Sequence, residues 1–130
     1  MKSYHFTKFD RDMVYGDTNI TLTRSHVLRF SSGFYKTNSL KNYKYVILFY
    51  DKANEAIGFQ FTNISTKGAF KISTEKTNSG GYTSIVSFLK ANNIDPYFYH
   101  GKYEWHKEFI PGIGETFVVD LKINEDAIPF

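Results

Sequence analysis

Residues 43–62, YKYVILFYDKANEAIGFQFT, constrain the fold more than any other stretch. Aromatic and β-branched character runs through 43–50, a polar break follows at 51–55, and 56–62 alternates small or polar with large apolar residues. A period of two marks a half-buried strand, so the stretch reads as a β-hairpin against which the rest of the chain must pack.

The chain has 130 residues, which fits a single domain over 1–130 able to bury a core without staples. It has no cysteine, which excludes disulfides, thiolate zinc sites and cysteine nucleophiles. No run of eighteen apolar residues is present, so no spanning helix and no membrane partner are expected. The opening MKSYHFTKFDRD lacks the apolar block of a signal peptide, and the expected location is cytoplasmic.

Taken in order, 3–9 suits an edge strand or a mobile arm. Segments 19–23 and 27–30 alternate as strands, with Leu28 and Phe30 facing inward. Ser31 or Ser32 is placed to cap a short helix over 33–39. Phe70 and Ile72 alternate with polar neighbours in a further strand over 68–74. The clearest helix pattern is 83–92, capped by Thr83 or Ser84, with Ile85, Phe88 and Leu89 on one face and Asp95-Pro96 as the stop. An aromatic segment over 97–106 reads as extended with a turn near Gly101, 109–114 as a glycine-proline loop, 116–123 as a last strand and 124–130 as a frayed tail. The expected class is α+β: a twisted, mainly antiparallel sheet or partly open barrel, with the 83–92 helix packed across it and the hairpin central.

Charge and aromatic content bear on function. Residues 1–50 carry eight Lys or Arg against three Asp, whereas the remainder carries eight Lys against ten acidic residues. A basic front half suits a polyanionic partner, although lysine excess is also ordinary solvated surface. The chain has 13 Phe, 10 Tyr and one Trp, material for sheet surfaces and core edges, for an interface or for base stacking. The nucleic-acid-binding candidates are Arg24, His26, Arg29, Lys36, Lys41 and Lys44, with Tyr35, Tyr43 or Tyr45 beside them as stacking rings. If Arg29 and Lys44 occupy outward strand positions, they also serve simply to solvate a sheet.

The order ITLT, RSH, VLRF, SSGFYKTNSL and then the hairpin resembles the swapped-hairpin DNA-binding domains of the AbrB and SpoVT type, over about one third of the chain. The resemblance implies a homodimer with intertwined hairpins and places Arg24 and Arg29 against DNA. Where that family has a glycine after the basic loop, a proline before the helix and a glycine-acidic turn before the hairpin, this chain has His26-Val27, Ser31-Ser32 and Asn42-Tyr43. Independently of the resemblance, arginine offers a planar donor fork to phosphate or guanine edges. Exposed aromatic strand edges also point to a homodimer.

Other constellations are weaker. His100, Glu104 and His106 have metal-ligand types without a convergent spacing, so no metal and no cofactor are expected. Glu104 or Glu108 paired with His106 would make an acid–base dyad. Gly112 and Gly114 read as turn geometry, Gly80-Gly81 as a loop able to offer amides to an anion, and Ser84 and Ser87 as cap and polar helix face. The leading expectation is a non-catalytic nucleic-acid-binding protein, such as a small regulator, with DNA ahead of RNA. A protein–protein interaction module using Tyr97, Tyr99, Tyr103 and Trp105 is the alternative, and a small enzyme built around His100, Glu104 and His106 comes third.

Overall fold

A computed structural model describes residues 2–6, 17–74 and 80–124. In chain order the strands are β1 (Ile20–Leu22), β2 (Val27–Phe30), β3 (Tyr45–Asp51), β4 (Ala56–Thr62), β5 (Phe70–Lys71), β6 (Ser73–Thr74), β7 (Gly81–Ser84), β8 (Gly101–Tyr103), β9 (His106–Ile110) and β10 (Gly114–Asp120). The helices are α1 (Ser32–Thr37), α2 (Val86–Ala91) and α3 (Pro96–Tyr99), with a 3-10 turn at Leu40–Asn42. None of the helices among the described residues is long and apolar enough to cross a membrane.

The class is α+β, with two five-stranded antiparallel sheets and a few short helices. The first sheet has the order β6-β7-β2-β1-β8 and the second β5-β3-β4-β10-β9. The chain crosses between sheets at both edges, through Ile72 between β5 and β6 and through Glu104-Trp105 between β8 and β9. The Ile72 N–H donates to the Lys44 carbonyl (2.9 Å), which fixes the first of these corners. Bent strands of this kind make the corners of packed sheets. The hydrogen-bonded ladder does not continue around either corner, so the sheets do not close into a barrel.

The alternation read from the sequence sets the faces. Leu28 and Phe30 are buried and Arg29 is exposed. The 43–62 hairpin forms β3 and β4 in a register from Tyr45 opposite Thr62 to Asp51 opposite Ala56. It lies inside the second sheet, flanked by β5 and β10 of its own chain. Val46, Ile57, Phe59 and Val119 from this sheet join Ile20, Leu22, Leu28 and Phe30 from the first in one core.

Ser31 caps α1 by accepting from the Phe34 N–H (3.2 Å), as its residue type predicts. The cap turns Phe34 into the core, where its ring meets Phe30, Phe59, Phe61, Trp105 and Phe117 at centroid distances from 5.1 to 6.3 Å.

Three expectations change. Thr83 and Ser84 belong to β7, not to a helix cap, and α2 begins at Val86 without a side-chain cap. The reason is the place left beside β2: Thr83 pairs with Leu28 and is buried, while Tyr82 and Ser84 face out. Gly81 therefore opens a strand rather than an anion-binding helix. Residues 97–99 are helical rather than extended, because the Asp95 side chain accepts from the Tyr97 N–H (2.9 Å) and Pro96 favours the first helical position. Residues 109–114 are not all loop, since Phe109 and Ile110 end β9 and Gly114 starts β10. Of the arm at 3–9, residues 3–6 carry no regular structure and 7–9 lie outside the described residues, as does the tail at 125–130.

Candidate nucleic-acid interface

Of the six basic candidates, Arg24 and His26 precede β2, Arg29 lies within it, and Lys36, Lys41 and Lys44 follow it. Arg24 and His26 sit in the β1–β2 turn, where the Thr23 hydroxyl accepts from the N–H groups of Ser25 and Val27 (3.2 Å each). His26 takes a left-handed backbone there (φ 66°). Arg29 points out from β2. Register places Ser73, Tyr82, Arg29, Thr21 and Lys102 in one row across the outer face of the first sheet. Lys102 pairs with Asp17 (3.2 Å). The Asp17 carboxyl is held below its ordinary range by the Asn19 N–H first and Lys102 second.

Lys36, Lys41 and Lys44 lie in the last turn of α1, in the 3-10 turn and just before β3. All three are exposed. A cleft of about 540 Å³ lies between the end of α1 and the second sheet, lined by chain neighbours of these lysines and, among basic residues, by Lys107. Phe61 and Phe117, edge to face at 5.4 Å, line its base, and Tyr43 stands beside Phe61 with ring centroids 6.1 Å apart and planes tilted by 37°. Lys107 reaches over the Phe117 ring (5.1 Å to its centroid) and pairs with Glu115 (3.5 Å). Thr37, Asn38 and Ser39 add polar side chains. In the chain, Lys36 precedes Thr37, Lys41 falls between Ser39 and Tyr43, and Lys44 follows Tyr43.

A second groove, of about 510 Å³, runs over the outer face of the second sheet. Its floor is low because β4 presents Ala56 and Gly58 between the larger Phe49 and Val118. A Cβ on Gly58 would come within 3.0 Å of the Thr116 methyl. His106 lies along one side, its Nε2 3.4 Å from Glu108 Oε1 and its Nδ1 4.0 Å from Asp120 Oδ2. Asp51 adds a third carboxylate, held below its ordinary range chiefly by the Asn54 side-chain amide. The lining contains no Lys or Arg. Sequence reasoning paired Glu108 with His106 but missed Asp120, whose proximity depends on the β9–β10 and β10–β4 registers.

His100 and His106 do not converge. The His100 Nδ1 is 3.0 Å from the carbonyls of Pro96 and Tyr97, and its Nε2 is 2.9 Å from the Asn124 amide. Glu104 is exposed, and no His, Asp or Glu group among the described residues is arranged to hold a metal ion. The aromatic set also divides. Tyr103 is buried, its hydroxyl donating to the Tyr99 carbonyl and accepting from the Lys122 N–H (3.3 Å). Trp105 is half-buried, its indole N–H donating to the Thr18 carbonyl (2.9 Å) and its ring packed on Phe34 and Phe117. Tyr99 is half-buried, and Tyr97 is exposed beside Phe98.

No protein-family model, curated protein or solved structure matches this chain.

Proposed function

We propose that this chain is a non-catalytic nucleic-acid-binding protein and that the cleft between α1 and the second sheet is its principal contact. The observation that supports this reading is the meeting of Tyr43, Phe61, Phe117 and Lys107 in one concave place, with Lys36, Lys41 and Lys44 exposed on the chain segments that supply its α1 wall and Tyr43. Ammonium groups neutralise phosphates and release counterions, while aromatic faces accept bases irrespective of sequence. Glu115 is the one carboxylate in the lining, and it pairs with Lys107. The groove on the other face of the sheet fits a polyanion poorly, since three carboxylates and no Lys or Arg line it and would repel phosphate. Arg24 and His26 in the β1–β2 turn and Arg29 on the outer face of the first sheet lie outside the cleft lining and are secondary contacts in this reading.

The test is a fluorescence-anisotropy titration at low salt with labelled single-stranded DNA, duplex DNA and RNA of about 20 nucleotides, enough to span several contacts. Saturable binding is expected, weakened about tenfold or more by joint replacement of Lys36, Lys41 and Lys44 with alanine. Binding to none of the three probes overturns the proposal.

A further inference from the structure

We infer that the cleft takes one unstacked base of a single strand, with Tyr43 as the stacking ring. This rests on the reading of the cleft as the nucleic-acid contact.

The exposed lysines alone would serve a duplex as well as a single strand, because both present phosphates. What the cleft adds is aromatic surface set in a concavity. A duplex holds its base faces in the stack and cannot offer one, whereas single-strand recognition splays bases onto aromatic rings. The volume of about 540 Å³ is in the range that holds a small planar ligand.

The ring geometry selects Tyr43. The Phe117 face already carries the Lys107 ammonium. Phe61 is flanked by Phe117 at 5.4 Å, Phe59 at 5.7 Å and Phe30 at 5.5 Å, so it belongs to the core ring cluster. Among the described residues the Tyr43 ring has one ring neighbour, Phe61, and Tyr43 is 39% exposed. With centroids 6.1 Å apart and planes tilted, Tyr43 and Phe61 are too close to sandwich a base. A base therefore stacks on one face of Tyr43.

Polar groups are placed for the rest of the nucleotide. The Asn38 amide nitrogen donates to the Phe34 carbonyl (3.1 Å), which leaves its oxygen as an acceptor for a base edge. The hydroxyls of Thr37 and Ser39 lie in the same wall. Lys41 and Lys44 lie two residues before Tyr43 in one direction and next to it in the other, which suits them to the phosphates either side of the bound base.

The experiment compares one single-stranded DNA, the same strand with tetrahydrofuran abasic residues throughout, and its duplex, in anisotropy titrations against the native protein, Tyr43→Ala and Tyr43→Phe. The native protein and Tyr43→Phe are expected to prefer the base-bearing strand about tenfold over the abasic strand and the duplex. Tyr43→Ala is expected to bind all three alike, with an unchanged circular dichroism spectrum and thermal midpoint. Equal native affinity for base-bearing and abasic strands overturns the base site while leaving lysine-driven binding intact. Preference for bases that survives Tyr43→Ala overturns the role of Tyr43. Failure to bind any strand overturns the underlying reading instead.

Discussion

Phe34 shows how little a single residue's role can be read from its neighbours in the chain. It follows a serine cap and a glycine in a segment of weak helix formers, so the sequence places it early in a short helix and says nothing more. The structure surrounds it with five aromatic rings drawn from β2, β4, β10 and the β8–β9 corner. None of these partners is identifiable without the sheet registers, except Phe30, which is near in sequence. Truncating a fully buried ring removes its transfer energy and leaves a cavity. Phe34→Ala is therefore expected to cost about 3–5 kcal/mol in urea unfolding. Tyr103 carries a pH signature. Burial pushes its phenol up from its ordinary value near 10, partly opposed by the Lys122 N–H. The folded protein then holds this proton more tightly than the unfolded chain does. The resulting stability is complete below about pH 10 and is lost as pH rises through the folded value. Tyr50, also raised by desolvation, adds to the same alkaline decline. Tyr103→Phe is expected to be less stable at neutral pH by about 1 kcal/mol, from the lost hydroxyl contacts. Its urea midpoint should nonetheless fall less steeply above about pH 10 than that of the native protein.

Among the elements, the hairpin at 43–62 was legible because three independent signals agree: strand composition, period-two alternation and a polar turn. The turn at 52–55 bears this out, with the Asp51 carboxylate accepting from the Asn54 backbone and side chain (3.2 and 2.7 Å) and Glu55 in a left-handed conformation. The start of α2 was not legible. Thr83 and Ser84 suit a helix cap, and threonine suits a strand equally well, so local chemistry cannot choose between them. The choice falls to tertiary pairing, as β7 completes the first sheet between β2 and β6. That pairing depends on a close backbone approach at its entry. A Cβ at Gly80 would lie 2.4 Å from the Phe30 carbonyl oxygen, and one at Gly81 would lie 3.2 Å from the Ser73 carbonyl oxygen and 3.2 Å from Tyr35 Cε2. Gly80→Ala must push β7 away from β2. The expected loss is about 1–3 kcal/mol in urea unfolding, with amides of β2 and β7 losing hydrogen-exchange protection first.

Across the whole molecule, the basic excess of the front half does not become one surface. Arg24 and His26 sit in the β1–β2 turn and Arg29 on the outer face of the first sheet, whereas Lys36, Lys41 and Lys44 follow β2 on α1, the 3-10 turn and the approach to β3. The lysines of the candidate site were readable individually as charge, and Tyr43 as a ring beside them. The base of the cleft was not, because Phe61, Lys107 and Phe117 come from β4, β9 and β10 and meet only through sheet order. The opposite face of the same sheet gathers Asp51, Glu108 and Asp120 without a Lys or Arg, whereas the cleft's single carboxylate, Glu115, is paired with Lys107. This segregation makes the salt dependence of binding diagnostic of place as well as of strength. For a single strand, the slope of log affinity against log salt is roughly −0.7 for each phosphate neutralised. Engagement of Lys36, Lys41, Lys44 and Lys107 together gives a slope of about −3. Replacing Lys36, Lys41 and Lys44 with alanine should reduce its magnitude by about 2. Replacing Arg24 and Arg29 should leave it nearly unchanged if the strand lies across the α1 end of the molecule. Titrations over a range of sodium chloride concentrations compare the two variants directly. A slope that falls with the arginines and persists without the lysines would move the interface to the outer face of the first sheet, beside Tyr82 and Lys102.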